Sequence, residues 1–293
     1  MVASLNRRMT PAAALLALLV FGLWGANNLA IKISVEAVPP LAAAALRFLQ
    51  ALGIMALWAA VHRTSLRPRR EELRELVLLA LAFTLQIAAL NVGQKHTSAV
   101  RGTVFLAAHP LFVGLFAGIF IPGDPLRGRR LAGLGLAFAG ILLTFAEGFL
   151  AGGGLLGDGI VLGSALLLGA RLVMLKLIVQ RVPVTRTLFW QFLLALPLFA
   201  LGSLLFERGD WGPVTARHIG ALAYQGLVVA GFCFAGNAWL YAHFRASQVA
   251  AFTFTTPLWG VLLCGLLAHD PITPWLLAGV ACVTAGIALA SRA

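Results

Sequence analysis

Long apolar runs dominate this chain, and no soluble fold can hide them. Ten such runs occupy residues 11–33, 40–62, 73–93, 98–121, 129–147, 157–180, 186–205, 217–240, 248–268 and 273–291. A helix needs roughly 20 apolar residues to cross a bilayer, and each run is close to that length. Barrel strands would instead alternate apolar and polar residues over about ten positions. These runs are almost uniformly apolar and rich in Leu and Ala. The breaks carry Pro, Gly or charge, as in Val38-Pro39-Pro40, Arg67-Pro68-Arg69-Arg70 and Pro122-Gly123-Asp124-Pro125. Composition agrees: 60% of residues are apolar and 11% charged, against about 45–50% and about 25% in soluble domains. The expected fold is an all-α integral membrane protein of about ten transmembrane helices, with the lipid bilayer as its principal partner.

The charge balance sets orientation. The net charge is +12, which in a soluble protein would raise nucleic acid as a partner. Here the basic residues stand in short breaks between spans, where they act as topology signals, and no nucleic-acid partner is expected. With the N-terminus in the cytoplasm, the inner segments hold Arg7, Arg8, Arg63, Arg67, Arg69, Arg70, Arg74, Arg127, Arg129, Arg130, Arg181, Arg186, Arg245 and Arg292. The outer segments hold only Lys95, Arg101, Arg208 and Arg217. Both termini are therefore expected on the cytoplasmic side of a cell inner membrane. The first run is too long for the apolar core of a cleaved signal and reads as an uncleaved span. Cys233, Cys264 and Cys282 lie inside apolar runs without a CxxC pair or a His/Cys cluster, so neither metal nor cofactor is expected.

The chain also repeats itself. Gly25-Ala26 and Lys32 recur as Gly169-Ala170 and Lys176, an offset of 144 (169 − 25). Pro39 and Phe48 recur at the same offset as Pro183 and Phe192. Asp124-Pro125-Leu126 returns as Asp270-Pro271-Ile272, and Leu131-Ala132-Gly133 with Gly140 returns as Leu277-Ala278-Gly279 with Gly286, both at 146 (270 − 124). Residues 11–147 and 157–291 thus read as two related units of five spans each. An odd number of spans forces the second unit to enter the membrane from the opposite side. Inverted repeats of this kind are frequent in secondary transporters, where they meet at a midplane site.

Leu23-Trp24-Gly25-Ala26-Asn27-Asn28 with Lys32, Pro39-Pro40 followed by Leu46-Arg47-Phe48, Pro110 with its repeat Pro257, and the glycine-spaced fifth and tenth runs resemble the drug/metabolite transporter superfamily, EamA type. Within it the chain looks most similar to the YddG-type exporters of aromatic amino acids. The chain departs from the pattern at Asp124 and Asp270, where members often carry Glu. It departs again at Leu168-Gly169 and Gln191-Phe192, which stand where the first half has Trp-Gly and Arg-Phe. The resemblance implies an inner-membrane exporter of amino acids or similar small metabolites, with a central cavity lined mainly by the first, third, fourth, sixth, eighth and ninth helices.

Polar groups inside a bilayer must find a partner or face a wet cavity. Trp24, Asn27 and Asn28 share one turn of the first span; an Asn amide can serve a substrate carboxylate and ammonium, or clamp a neighbouring helix. Gln86 and Asn91 lie in the third span and Asn237 in the eighth, with Asn91 and Asn237 at the repeat offset of 146. Pro110 and Pro257 are expected to kink their helices and free the carbonyls of Leu106 and Thr253. His109 could bind substrate or remain a neutral hydrogen-bonded histidine. Arg171, the most central cation, could meet a substrate carboxylate or pair internally, and Arg47 reads as structural. Trp190, Trp239, Tyr241 and Trp259 are candidates for a cavity wall. No Asp or Glu is central to a span, which favours facilitated diffusion over coupling through a buried carboxylate. An integral membrane enzyme would need clustered acids or a nucleophile with its base, and a channel repeated charged or carbonyl rings; neither pattern stands out.

Overall fold

The apolar runs fold as helices in the computed structural model, which describes residues 9–120, 128–150, 155–209, 211–244, 252, 255–268 and 272–291. In chain order these are α1 (Pro11–Gly25), α2 (Asn27–Ala37), α3 (Pro40–Val61), α4 (Arg70–Lys95), α5 (Ala99–Leu106), α6 (His109–Phe120), α7 (Gly128–Leu150), α8 (Leu155–Ile178), α9 (Val184–Phe206), α10 (Ala216–Ala223), a wider i→i+5 helix (Tyr224–Cys233), α11 (Phe234–His243), α12 (Thr256–Ala268) and α13 (Pro274–Ser291). No strand occurs among the described residues. Six helical segments are long and apolar enough to cross a bilayer, namely Pro11–Ala37, Pro40–Val61, Arg70–Lys95, Ala99–Phe116, Leu155–Ile178 and Val184–Phe206. Shorter apolar helices lie at Leu131–Thr144, Thr256–Leu267 and Pro274–Gly286. With the segment 216–243 they make up the ten expected spans.

Local chemistry sets where the helices start and stop. Pro11 opens α1 behind Thr10, whose hydroxyl accepts from the Ala13 N–H at 3.2 Å. Pro40 opens α3, at a position where its missing N–H is no loss. The next two N–H groups, of Leu41 and Ala42, donate to the Glu207 carboxylate at 2.8 and 3.2 Å. A side chain 166 residues along the chain thus caps this helix. At the other end of α3, Arg63 takes the left-handed conformation (φ 50°), and the Thr64 N–H reaches back to the Ala59 carbonyl at 2.8 Å. Glu72 in the first turn of α4 accepts from the Arg69 N–H at 2.9 Å. His218 plays the same part at the start of α10, accepting from the Thr215 N–H at 3.0 Å. These two capping residues are 146 apart (218 − 72), the repeat offset itself.

Two prolines shape the bundle differently from the expectation of kinks inside continuous helices. Pro110 is the second residue of α6, and the helix before it ends outright at Leu106. Pro257 is the second residue of α12. At both places the proline stands in the first turn of a helix, where its absent N–H is harmless. The Thr253 carbonyl lies outside the described residues.

The halves interlock through close backbone approaches that only glycine allows. A Cβ added at Gly140 would lie 2.5 Å from the Gly279 carbonyl oxygen, and one at Gly286 would lie 2.5 Å from that of Gly133. Gly133 pairs with Gly286 and Gly140 with Gly279, so α7 and α13 run antiparallel. Under the offset of 146 each contact converts into the other. A second such couple places Gly25 against Trp259 and Gly260, and Gly169 against Phe112 and Val113. The four partners again correspond, at offsets of 144 (169 − 25) and 147 (260 − 113). In lipid, where burial of apolar surface no longer drives association, such small-residue seams let helices gain dispersion contact. Midway between the helix ends the rings of Phe48, Phe83, Phe192 and Phe199 form the heart of the core, with Phe48 centred 4.7 Å from Phe83, 5.2 Å from Phe192 and 5.9 Å from Phe199.

Candidate functional site

The first span is jointed. Its hydrogen-bond ladder changes course at Ala26, between α1 and α2, and the polar residues gather there. Asn27 and Asn28 are both buried. The Asn28 Nδ2 donates to Thr103 Oγ1 at 3.3 Å, and that hydroxyl donates to the Ala99 carbonyl at 2.8 Å. Cys264 Sγ lies 3.8 Å from Thr103 Oγ1, so Thr103 of α5 stands between Asn28 of α2 and Cys264 of α12. The Oδ1 atoms of Asn27 and Asn28 are buried with no hydrogen-bond partner among the described residues. Trp24 stacks on Phe21 at 6.1 Å and meets Phe234 at 5.3 Å. Trp259 packs over Gly22 and Gly25. The structure therefore brings Trp24, Asn27, Asn28 and Trp259 to one joint.

Residues that the sequence did not single out complete this joint. The Tyr224 hydroxyl donates to the Leu23 carbonyl. The Gln225 Nε2 lies 3.0 Å from the Ala30 carbonyl and 3.1 Å from Ser34 Oγ. Both come from the wide helical stretch, a geometry often found at functional sites. Asn237, one turn further on α11, has a buried Oδ1 with no partner among the described residues. Tyr241 is on α11, but its side chain is outside the described set, as is all of Thr253. Trp239 lies exposed on the bundle surface, and Trp190 donates to the Leu66 carbonyl at 2.7 Å.

Gln86 and Asn91 bind neighbouring helices. The Gln86 Nε2 donates to Ser164 Oγ at 3.1 Å, and that hydroxyl donates back to the Gln86 carbonyl at 2.8 Å. The Asn91 Nδ2 donates to the Pro40 carbonyl at 2.9 Å. These bonds fasten α4 to α8 and α3.

A second polar group surrounds the ring cluster. The Arg171 guanidinium lies 5.2 Å above the Phe83 ring and donates through Nη1 to Gln191 Oε1 at 3.4 Å. Arg47 lies 4.7 Å over the Phe48 ring. Its residue is only 6% exposed, and its Nε and Nη1 have no partner among the described residues. His109 opens α6 just before Pro110. Its Nδ1 is 3.0 Å from the Leu106 carbonyl, the group that Pro110 leaves without a backbone donor. A neutral imidazole with hydrogen on Nδ1 satisfies that carbonyl. A ring cation contact contributes roughly 2 kcal/mol when desolvated, whereas burying an ion costs several. The rings alone therefore do not balance the two guanidinium groups.

Nor do the acids. Glu72 receives Arg186 at 3.0 Å and Glu75 receives Arg181 at 3.0 Å. Glu36 receives Arg217 at 3.2 Å, Asp158 accepts from Thr97 and Arg101, and Glu207 caps α3. Glu71 is exposed at the start of α4. Each of these carboxylates stands near a helix end, where it joins one half to the other or meets solvent.

The repeat offset also relates the Arg171–Gln191 bond to a pair in the first half. Subtracting 144 gives Asn27 and Arg47, the same kinds of group with donor and acceptor exchanged. The bond is made in one half, while Asn27 Oδ1 and Arg47 Nε both lack partners in the other.

Comparison with known proteins gives the family. The model of the EamA-like transporter family matches the chain twice, over residues 11–146 and 155–292. The chain belongs to the EamA-like transporter family. Its similar relatives include the uncharacterized transporters YoaV and YvbV of Bacillus subtilis (strain 168). The first is 23% identical over 90% of this chain and 91% of the relative, the second 27% over 96% and 91%. A protein of Salmonella typhimurium named a probable amino-acid metabolite efflux pump is 27% identical over 93% of this chain and 92% of its own length. A solved crystal structure superposes with a TM-score of 0.68 at 20% identity, covering 95% of this chain and 96% of that one, and shows the same fold. This EamA member is thus a multi-pass membrane transporter with a small-molecule substrate, and not an enzyme.

Proposed function

We propose that this protein is a secondary transporter that exports neutral amino acids, aromatic ones among them, or similar small amphipathic metabolites across the inner membrane by facilitated diffusion. The observation that carries this reading is the set of buried, unsatisfied polar atoms at Asn27, Asn28, Asn237 and Arg47, in spans that are otherwise apolar. Groups like these are retained inside a bilayer when they face a substrate path. Flat walls at Trp24 and Trp259 suit an amphipathic ligand. The relative named an amino-acid metabolite efflux pump supports the substrate class.

Alternating access follows from an inverted relation between residues 11–147 and 157–291. Each end of the bundle carries links between halves: Arg186 with Glu72 and Trp190 with Leu66 at one, Glu207 with α3 and Arg101 with Asp158 at the other. Opening one side breaks one set of links and keeps the other. On this reading both chain termini lie on the cytoplasmic side, as the excess of arginine in the inner breaks supports.

The test is uptake of radiolabelled L-phenylalanine and other neutral amino acids into proteoliposomes holding the purified full chain. Saturable flux in the absence of an imposed pH gradient is expected, with flux lowered at least several-fold by Asn28→Ala, Asn237→Ala or Trp24→Ala. Flux that rises linearly with concentration, or that demands a pH gradient, counts against the proposal.

A further inference from the structure

Two guanidinium groups lie against the ring cluster. Arg47 comes from α3 in the first half and Arg171 from α8 in the second. They are linked through a continuous series of close contacts: Arg47 over Phe48 at 4.7 Å, Phe48 against Phe83 at 4.7 Å, and Phe83 under Arg171 at 5.2 Å. Phe192 and Phe199 close the cluster on the side of α9. Arg171 has one neutral acceptor, Gln191, and its Nε is buried with no partner among the described residues. Arg47 lacks even the neutral acceptor for its Nε and Nη1. No described carboxylate approaches either group; each one stands at a helix end or in solvent.

We infer that Arg47 and Arg171 form the anion subsite of the translocation path, so that every substrate carries a carboxylate. Arginine is the residue best made for that partner, because its planar fork presents parallel N–H donors to two oxygens. The surrounding phenyl rings offer the apolar body of the ligand a surface to lie on. The carboxylate supplies the negative charge that no described side chain brings to the two groups, and the ammonium group of an amino acid is not what the subsite recognises. This inference rests on the transporter reading and narrows it. A neutral or zwitterionic substrate keeps its carboxylate in contact with the arginines, whereas an amine without a carboxylate would bring a third positive charge.

The experiment is ligand-induced thermal stabilisation of the detergent-solubilised full chain, run beside proteoliposome flux. The probes are L-phenylalanine, 3-phenylpropanoate, L-phenylalaninamide and 2-phenylethylamine. The first two keep the carboxylate and the last two lack it. Stabilisation by the first two only is expected. Arg47→Gln and Arg171→Gln should each weaken apparent carboxylate affinity about tenfold or more, with Arg47→Lys and Arg171→Lys recovering part of it. Stabilisation by 2-phenylethylamine equal to that by 3-phenylpropanoate overturns the inference. So do an unchanged carboxylate effect in the two glutamine variants and the absence of any carboxylate effect on the unsubstituted chain. Where a glutamine variant does not fold, the comparison of probes on the unsubstituted chain and the lysine variants decides. Carboxylate binding without flux would remove the transporter reading and leave the subsite standing. Flux of 2-phenylethylamine indifferent to both arginines would do the reverse.

Discussion

Replacing Gly140 by alanine tests the seam between the halves with one methyl group. The added Cβ would stand 2.5 Å from the Gly279 carbonyl oxygen and 2.9 Å from the Val283 nitrogen. Ordinary contact distances are about 3.5–4.0 Å, so α7 and α13 must separate locally by roughly 1 Å. Both obstacles are backbone atoms, which no rotamer change can move. Gly135, five residues earlier on the same helix, has nothing within 4 Å of its added Cβ. It is the control for intrinsic helix propensity, where glycine to alanine favours the helix by roughly 0.8–1 kcal/mol. That gain applies equally to both substitutions and cancels between them. What remains is overpacking, about 1–3 kcal/mol, which in a chain of this size corresponds to a few degrees of melting temperature. Thermal unfolding followed by the loss of monodisperse protein in size-exclusion chromatography reads the difference. Gly140→Ala is expected below Gly135→Ala by that amount. Gly286→Ala, whose added Cβ meets Gly133 in the corresponding way, should match Gly140→Ala. Equal melting of Gly135→Ala and Gly140→Ala would refute the reasoning. A silent Gly286→Ala beside a damaging Gly140→Ala would show that the seam lacks the two-fold correspondence.

Two further outcomes are expected. Glu72→Gln should destabilise the protein by about 1.5–3 kcal/mol, because it takes the charge away from the mostly buried Arg186 and leaves it the Ser65 carbonyl. Glu75→Gln, whose partner Arg181 is 69% exposed, should change stability by no more than about 1 kcal/mol; the same unfolding assay compares them, and equal effects would contradict the difference in burial. Gln191→Ala and Asn27→Ala should shift the balance between the two open states in opposite directions, read by cysteine labelling from each side of the membrane in turn. Shifts in the same direction would show that the Arg171–Gln191 bond has no counterpart at Asn27 and Arg47.

The spans were legible because length and hydropathy suffice to find them, and the seam between the fifth and tenth spans because Gly133, Gly140, Gly279 and Gly286 recur at one spacing. Several decisive features left no such mark. The joint at Ala26 follows an ordinary Trp-Gly-Ala-Asn sequence with no proline to announce it. The wide helix at Tyr224–Cys233 differs from an α-helix in which carbonyl each N–H chooses, and composition does not encode that choice. Tyr224 and Gln225 consequently escaped notice, although they hold the joint together. The cap that Glu207 gives α3 depends on an approach between residues 166 apart. Pro110 announced a disturbance but not its form, since the same residue suits a kink or a first turn. Arg47 read as structural from its shallow place in the span; its lack of acceptors became visible only when the surroundings of its side chain were known.

The cap on α3 has a consequence for how such a protein can come into being. The first half leaves two amide hydrogens at the head of a membrane helix, and only the second half brings the carboxylate that receives them. The first half made alone would leave that helix start without its carboxylate. Cutting the chain between the halves is therefore expected to leave the first half less stable alone than beside the second.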